Sequence, residues 1–154
     1  MTCAMPIAPE HRWLYPIYWR ELSASIRFER ARGRCERCRR PHGREVLHLG
    51  NGTWWDEEAT IWRDGRGSGL RYLPPPGELP VDQPAFAGME PPVRLLTTRV
   101  VLASAHLNHD PCDNRQRNLA ALCQRCHMLH DAPEHRRRRW FNAFRLRAMR
   151  DLFG

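Results

Sequence analysis

Apolar side chains recur at Trp19, Leu22 and Ile26, three to four positions apart, while Arg20, Arg27 and Arg30 fall off that stripe. The period is helical, with one face turned to a core, and it predicts a helix over 17–31. Gly33 ends it, because glycine readily takes the left-handed conformation that closes a helix. A run rich in Val, Leu and Thr over 95–105 predicts a strand. Asp110-Pro111 opens a turn, 113–118 is a polar loop, and Leu119–Leu122 predicts a second, short strand. A helix is expected from near Gln124, broken before Pro133. The last segment, 134–153, predicts another helix, with Trp140, Phe141, Phe144, Ala148 and Leu152 at helical spacing.

Between these segments the pattern disappears. Gly65, Gly67 and Gly69 are followed by Pro74, Pro75, Pro76, Pro80, Pro84, Pro91 and Pro92. No helix or interior strand tolerates that density, so 50–94 is expected to be an irregular insertion. Trp54, Trp55 and Trp62 either fold part of it onto the body or stack on nucleic-acid bases.

The chain's 154 residues suit one domain over 1–154. The elements make it a small α+β protein with flanking helices. Net charge is +8, and every Lys/Arg position is arginine. A guanidinium fork meets phosphate bidentately, so the excess favours a polyanion, although coding bias would give the same composition. No apolar run approaches the roughly 20 residues that span a bilayer. The start, Met1–Glu10, lacks a basic segment followed by an apolar one. A cytoplasmic, reducing setting with no membrane partner is therefore expected, where cysteines more often bind metal than form disulfides.

Four of the six cysteines form two Cys-x-x-Cys pairs, Cys35/Cys38 and Cys123/Cys126; Cys3 and Cys112 read as free thiols. Each pair turns tightly enough to aim both sulfurs at one metal, and two pairs complete a tetrahedral zinc site. Adjacent Arg34, Arg37, Arg39 and Arg125 favour thiolates. Cys123-Gln124-Arg125-Cys126-His127 also fits a c-type haem attachment pattern, but that would require export and leave Cys35 and Cys38 unexplained. A redox pair would need a βαβ setting, which the pattern lacks.

His106, Asn108, His109, Asn118, His127 and His130 cluster within about 25 residues at element ends. Phosphodiester hydrolysis needs a base for water, a cation against the phosphate and leaving oxygen, and a group that fixes the base's tautomer. Histidine titrates near pH 6.5 and suits the first role. Imidazole, amide or carboxylate donors suit the second, and an asparagine amide suits the third.

The stretch AHLNHDPCDNRQRNLAALCQRCHMLHD resembles the HNH nuclease family, most closely its zinc-knuckled bacterial and phage members. The resemblance covers Cys35–Cys38 and about 100–131, with a similar lead-in over 11–38. It implies a ββα-metal core over 95–131 that straddles one divalent ion (Mg²⁺, Mn²⁺ or Ni²⁺) at the DNA minor groove. His109 would be the general base, Asn118 would orient it, and His127 would ligate the catalytic ion. Cys35, Cys38, Cys123 and Cys126 would hold a structural Zn²⁺. Where the family usually carries Asp or His, this chain has Asn108, an uncharged ligand that His106 or His130 would assist. Arg136, Arg137, Arg138, Arg139 and Arg145 on the C-terminal helix would lie on DNA phosphates. The activity implied is metal-dependent cleavage of DNA. A DNA-binding module without catalysis and a protein that docks an acidic partner through its arginines are the alternatives.

Overall fold

The computed structural model describes residues 9–79 and 93–153. Cys3 and the prolines within 80–92 lie outside the described residues.

The N-terminal helix forms in two parts, α1 (Trp19–Ala24) and a π-helical continuation over Ser25–Arg30. Gly33 ends it at φ +69°, as the sequence predicts. Ile26 is fully buried, and Trp19 and Leu22 pack against the same cluster, so the apolar stripe faces the core.

Among the described residues the strands form two antiparallel sheets. The larger runs β4-β3-β2-β1-β5, from β1 (Glu45–His48), β2 (Trp54–Asp56), β3 (Ile61–Arg63), β4 (Gly69–Leu70) and β5 (Leu96–Arg99). The smaller is a hairpin of β6 (Leu102–His106) and β7 (Leu119–Cys123), in register from Leu102↔Cys123 to His106↔Leu119.

Three short strands of this sheet, β2, β3 and β4, thus lie within the segment expected to be an irregular insertion. The glycines mark a hairpin turn: Asp64 Oδ1 accepts the backbone N–H groups of Arg66 and Ser68, each at 2.8 Å, and Gly67 takes φ +88°. Trp54 and Trp62 have no solvent exposure. The Trp54 indole donates to the Cys38 carbonyl at 3.0 Å, and that of Trp62 to the Pro74 carbonyl at 2.7 Å. These two tryptophans are core side chains, not open platforms. Gly52, at φ +107°, lies under the Arg125 guanidinium, where a Cβ would collide. The φ is what calls for glycine there, since the guanidinium ends a flexible side chain that can shift.

The single strand predicted over 95–105 divides. Leu96–Arg99 pairs with β1, then Val100 exchanges backbone bonds with Gly43 and Arg44. The Val101 N–H is taken by Gln124 Oε1 at 3.0 Å, and the chain crosses to the hairpin. Apolar character continues across the crossing because Val100 and Leu102 are both buried.

All five residues of β7 are buried. Its open edge is covered by the first cysteine loop: Glu36 N–H donates to Ala121 O at 2.9 Å, and the Glu36 carboxylate accepts Ala121 N–H at 2.6 Å. Arg30 completes the cover with bonds to Glu36, Leu119 O and Gln116 O. The exposed polar groups of an edge strand are thus met from within the chain.

Helix α2 (Gln124–Phe153) follows β7 directly. The predicted break before Pro133 does not occur; Pro133 lies inside the helix. Proline's fixed φ of about −65° is itself helical, but the ring removes the bond to the Leu129 carbonyl and crowds it, a cost that the continuous helix carries. None of the described helices is long and apolar enough to cross a membrane.

Candidate functional site

The two Cys-x-x-Cys loops meet where β7 runs into α2. Cys35, Cys38, Cys123 and Cys126 are at most 1% exposed, and their sulfurs all lie within 4.8 Å of one another. Cys38 and Cys123 sulfurs are 3.5 Å apart, and the Cys123 N–H donates to Cys35 Sγ at 3.3 Å. A tetrahedral site with metal–sulfur bonds of about 2.3 Å has sulfur–sulfur edges of roughly 3.8 Å, so the quartet is near the size such an ion requires. Donation from Cys126 brings the Cys123 thiol down to about 7. Contact with Cys123 lowers the Cys35 pKa and raises that of Cys38. This buried group can hold a structural metal ion.

On the other side of the hairpin, the connection between β6 and β7 is organised by Asn118, which is 8% exposed. Its Oδ1 accepts the Asn108 N–H at 3.1 Å, and its Nδ2 donates to Asn108 Oδ1 and to the Asp113 carbonyl, both at 2.8 Å. Asn108 Oδ1 also accepts the Asp110 N–H at 2.9 Å, and Asn108 Nδ2 donates to Asp113 Oδ2 at 3.2 Å. The Asn108 amide is thereby committed to the loop. Arg115, bonded to the Asp113 carboxylate, holds that group down to about 2. The connection delivers His109 in the left-handed conformation, φ +60°, with its N–H on the His106 carbonyl at 3.2 Å.

His109 meets two side chains of α2, and reaches a third through one of them. Its ring stacks on His130, centroids 4.4 Å apart. Its Nδ1 lies 3.3 Å from Asp131 Oδ1, and Asp131 Oδ2 lies 3.2 Å from His127 Nε2. One carboxylate therefore joins two imidazoles. His127 and Asp131 are one helical turn apart, which places them on the same face. Ligand atoms of His109, His130 and Asp131 fall within 4.8 Å of one another, a second group able to hold a metal ion. Burial lowers the His127 pKa; nearby His130, His109 and His106 lower it further, against a raising effect from Asp131. A neutral imidazole is the ligand form. The cluster opens into a cavity of about 290 Å³, also bordered by Tyr15, Glu134 and Arg138.

The structure thus brings together His109, His127 and His130. Asn118 acts one residue away, on the backbone that precedes His109. The Asn108 side chain is turned into the loop. His106 lines the cavity, but its ring stacks on Trp19 at 5.4 Å and bonds Asn114 at 3.0 Å. Asp131 was not singled out by sequence reasoning, although its spacing from His127 was the available signal. Arg136–Arg139 and Arg145 are exposed on α2, Arg138 at the cavity's border and the others beyond it, and Cys112 is an exposed free thiol. The chain matches no family model, no curated protein and no solved structure.

Proposed function

We propose that this protein is a metal-dependent endonuclease that hydrolyses DNA phosphodiester bonds, with an HNH-like ββα-metal site built from β6, β7 and the start of α2. The observation that carries the reading is the Asp131 carboxylate set between His109 and His127 at the mouth of an open cavity. By accepting from His109 Nδ1, Asp131 fixes the tautomer that leaves Nε2 free to take a proton from water. Asn118 holds the backbone that presents His109. His130 and Asp131, whose ligand atoms lie close to that of His109, would hold the catalytic cation, with Asp131 supplying the carboxylate that residue 108 lacks and His127 reaching the site through its contact with that carboxylate. A divalent ion bound there supplies positive charge against the phosphate and the leaving oxygen. Zn²⁺ is the proposed occupant of the cysteine quartet, on the chemistry of four thiolates. Arg138, at the cavity rim, and its neighbours Arg136, Arg137, Arg139 and Arg145 supply phosphate contacts.

The test is nicking of supercoiled plasmid in Mg²⁺, Mn²⁺ or Ni²⁺, against chelator and against His109→Ala. Cleavage should require the divalent ion, and His109→Ala should lower its rate by roughly 10²–10⁴-fold, the contribution of a positioned base. Undiminished nicking by that variant overturns the assignment. Metal-independent duplex binding with no nicking in any ion favours the module without catalysis.

A further inference from the structure

From His135 to Arg145 every residue of α2 is exposed. Trp140, Phe141 and Phe144 are 66%, 55% and 57% exposed, and the rings of Trp140 and Phe144 stack with centroids 5.7 Å apart. Three large aromatic side chains in water on one stretch of helix call for a partner.

The charges around them narrow its chemistry. Over 131–147, Arg136, Arg137, Arg138, Arg139, Arg145 and Arg147 face only two carboxylates, Asp131 and Glu134. A second copy of this helix would oppose arginine with arginine, so the partner is anionic. Nor is the aromatic face a clean apolar stripe of the kind that enters a lipid surface. Arg136 and Arg137 stand one helical turn before Trp140 and Phe141 on the same side, about 6 Å along the axis. Guanidinium groups and flat rings therefore alternate along one face. Among anionic polymers, a single strand of nucleic acid has that alternation, phosphate and unstacked base in turn.

We infer that the exposed half of α2 is a platform for unpaired bases, with Trp140, Phe141 and Phe144 under the rings and Arg136 and Arg137 on the phosphates. This rests on the nucleic-acid reading above and sharpens it. Trp140 lies nine residues beyond Asp131, about 14 Å along the same helix. The preferred substrate thus carries a single-stranded segment that close to the scissile bond.

Fluorescence anisotropy without added divalent ion tests this, with labelled (dT)20 and a 20-base-pair duplex as probes. Trp140→Ala/Phe144→Ala should weaken (dT)20 binding about tenfold or more, the scale of losing a stacked base, and leave duplex binding within about twofold. Trp140→Phe should restore most of the single-tryptophan loss. Replacing Arg136 and Arg137 by Gln should weaken both probes and flatten the salt dependence of duplex binding by about 0.9 per phosphate contact. Circular dichroism checks that the helix persists. Equal losses on both probes, or none on (dT)20, overturn the platform while duplex binding by wild type keeps the nucleic-acid reading. If wild type binds neither probe, both readings fall. Two further results overturn the platform. One is a dimer in sedimentation that the aromatic variant loses; the other is binding to phosphatidylserine vesicles that it loses while (dT)20 binding is unchanged.

Discussion

Asp131 Oδ1 lies 3.3 Å from Nδ1 of His109, a residue brought to it from the other side of the hairpin loop. Since its other oxygen faces His127, Asp131→Asn keeps the shape but removes the charge and one acceptor. Cleavage should fall about 10–100-fold, the range for groups that support a metal site, with the largest loss at low metal concentration. Plasmid nicking across a metal titration measures it. A metal curve identical to wild type would mean that Asp131 neither orients the base nor holds the ion.

Metal analysis of purified protein should give one tightly bound zinc per chain. Cys123→Ser should lose that zinc and melt at a much lower temperature, since binding free energy at a structural site is folding free energy. Strong chelators should unfold the wild type in the same way. Zinc-free, fully folded wild type would refute the assignment.

Asn108 gives a sharper case. Its Nδ2 donates to Asp113 Oδ2 at 3.2 Å, so Asn108→Asp sets one carboxylate against another. We expect a lower stability, from the lost hydrogen bond and the opposed charges, and no gain of activity in Mg²⁺. Urea unfolding and nicking rates together decide it. Faster cleavage in Mg²⁺ at unchanged stability would show that residue 108 reaches the ion after all.

A pH effect follows from His42, whose Nδ1 accepts the Leu102 N–H at 3.0 Å at the start of β6. Burial, then Arg27 and Arg99, lower its pKa below the usual 6.5. The folded state favours the neutral ring, so its stabilising share is present above pH 6.5 and declines as pH falls below that value. The destabilisation caused by His42→Ala should therefore be larger at pH 7.5 than at pH 5.5, read from unfolding curves of both proteins at both values. An equal difference at both would mean that the ring holds the same charge state at both values.

Much of this architecture was legible because its signals are local. The Cys-x-x-Cys spacing, the helical stripe Trp19–Leu22–Ile26 and the start of α2 at Gln124 need only a few neighbouring residues to be read. The larger sheet was not legible, because β2, β3 and β4 are two or three residues long, too short for an alternating pattern. The division between β5 and β6 was hidden by continuous apolar character; what separates them is the capture of the Val101 N–H by a side chain 23 positions away. Within the site, sequence placed an oxygen ligand at Asn108, on the strand. The fold turns that amide inward and offers Asp131 from the helix instead, a choice made by the loop bonds of Asn118 and Asp113.

The N–H···S bond between Cys123 and Cys35 joins positions 88 apart. In polymer terms, everything between them is a ring closed at its base by the cysteine quartet. The entropy of closing a ring grows only with the logarithm of its length, about 0.6 kcal/mol per doubling. The five-stranded sheet grows from within that ring, whereas the histidines and Asp131 lie near or beyond its closing end. Provided Trp54 keeps its hold on Cys38, residues can be added to or removed from the sheet's outer hairpins at little cost in closure and without moving the histidine cluster. That makes the sheet the segment of this chain best suited to accept grafted sequence.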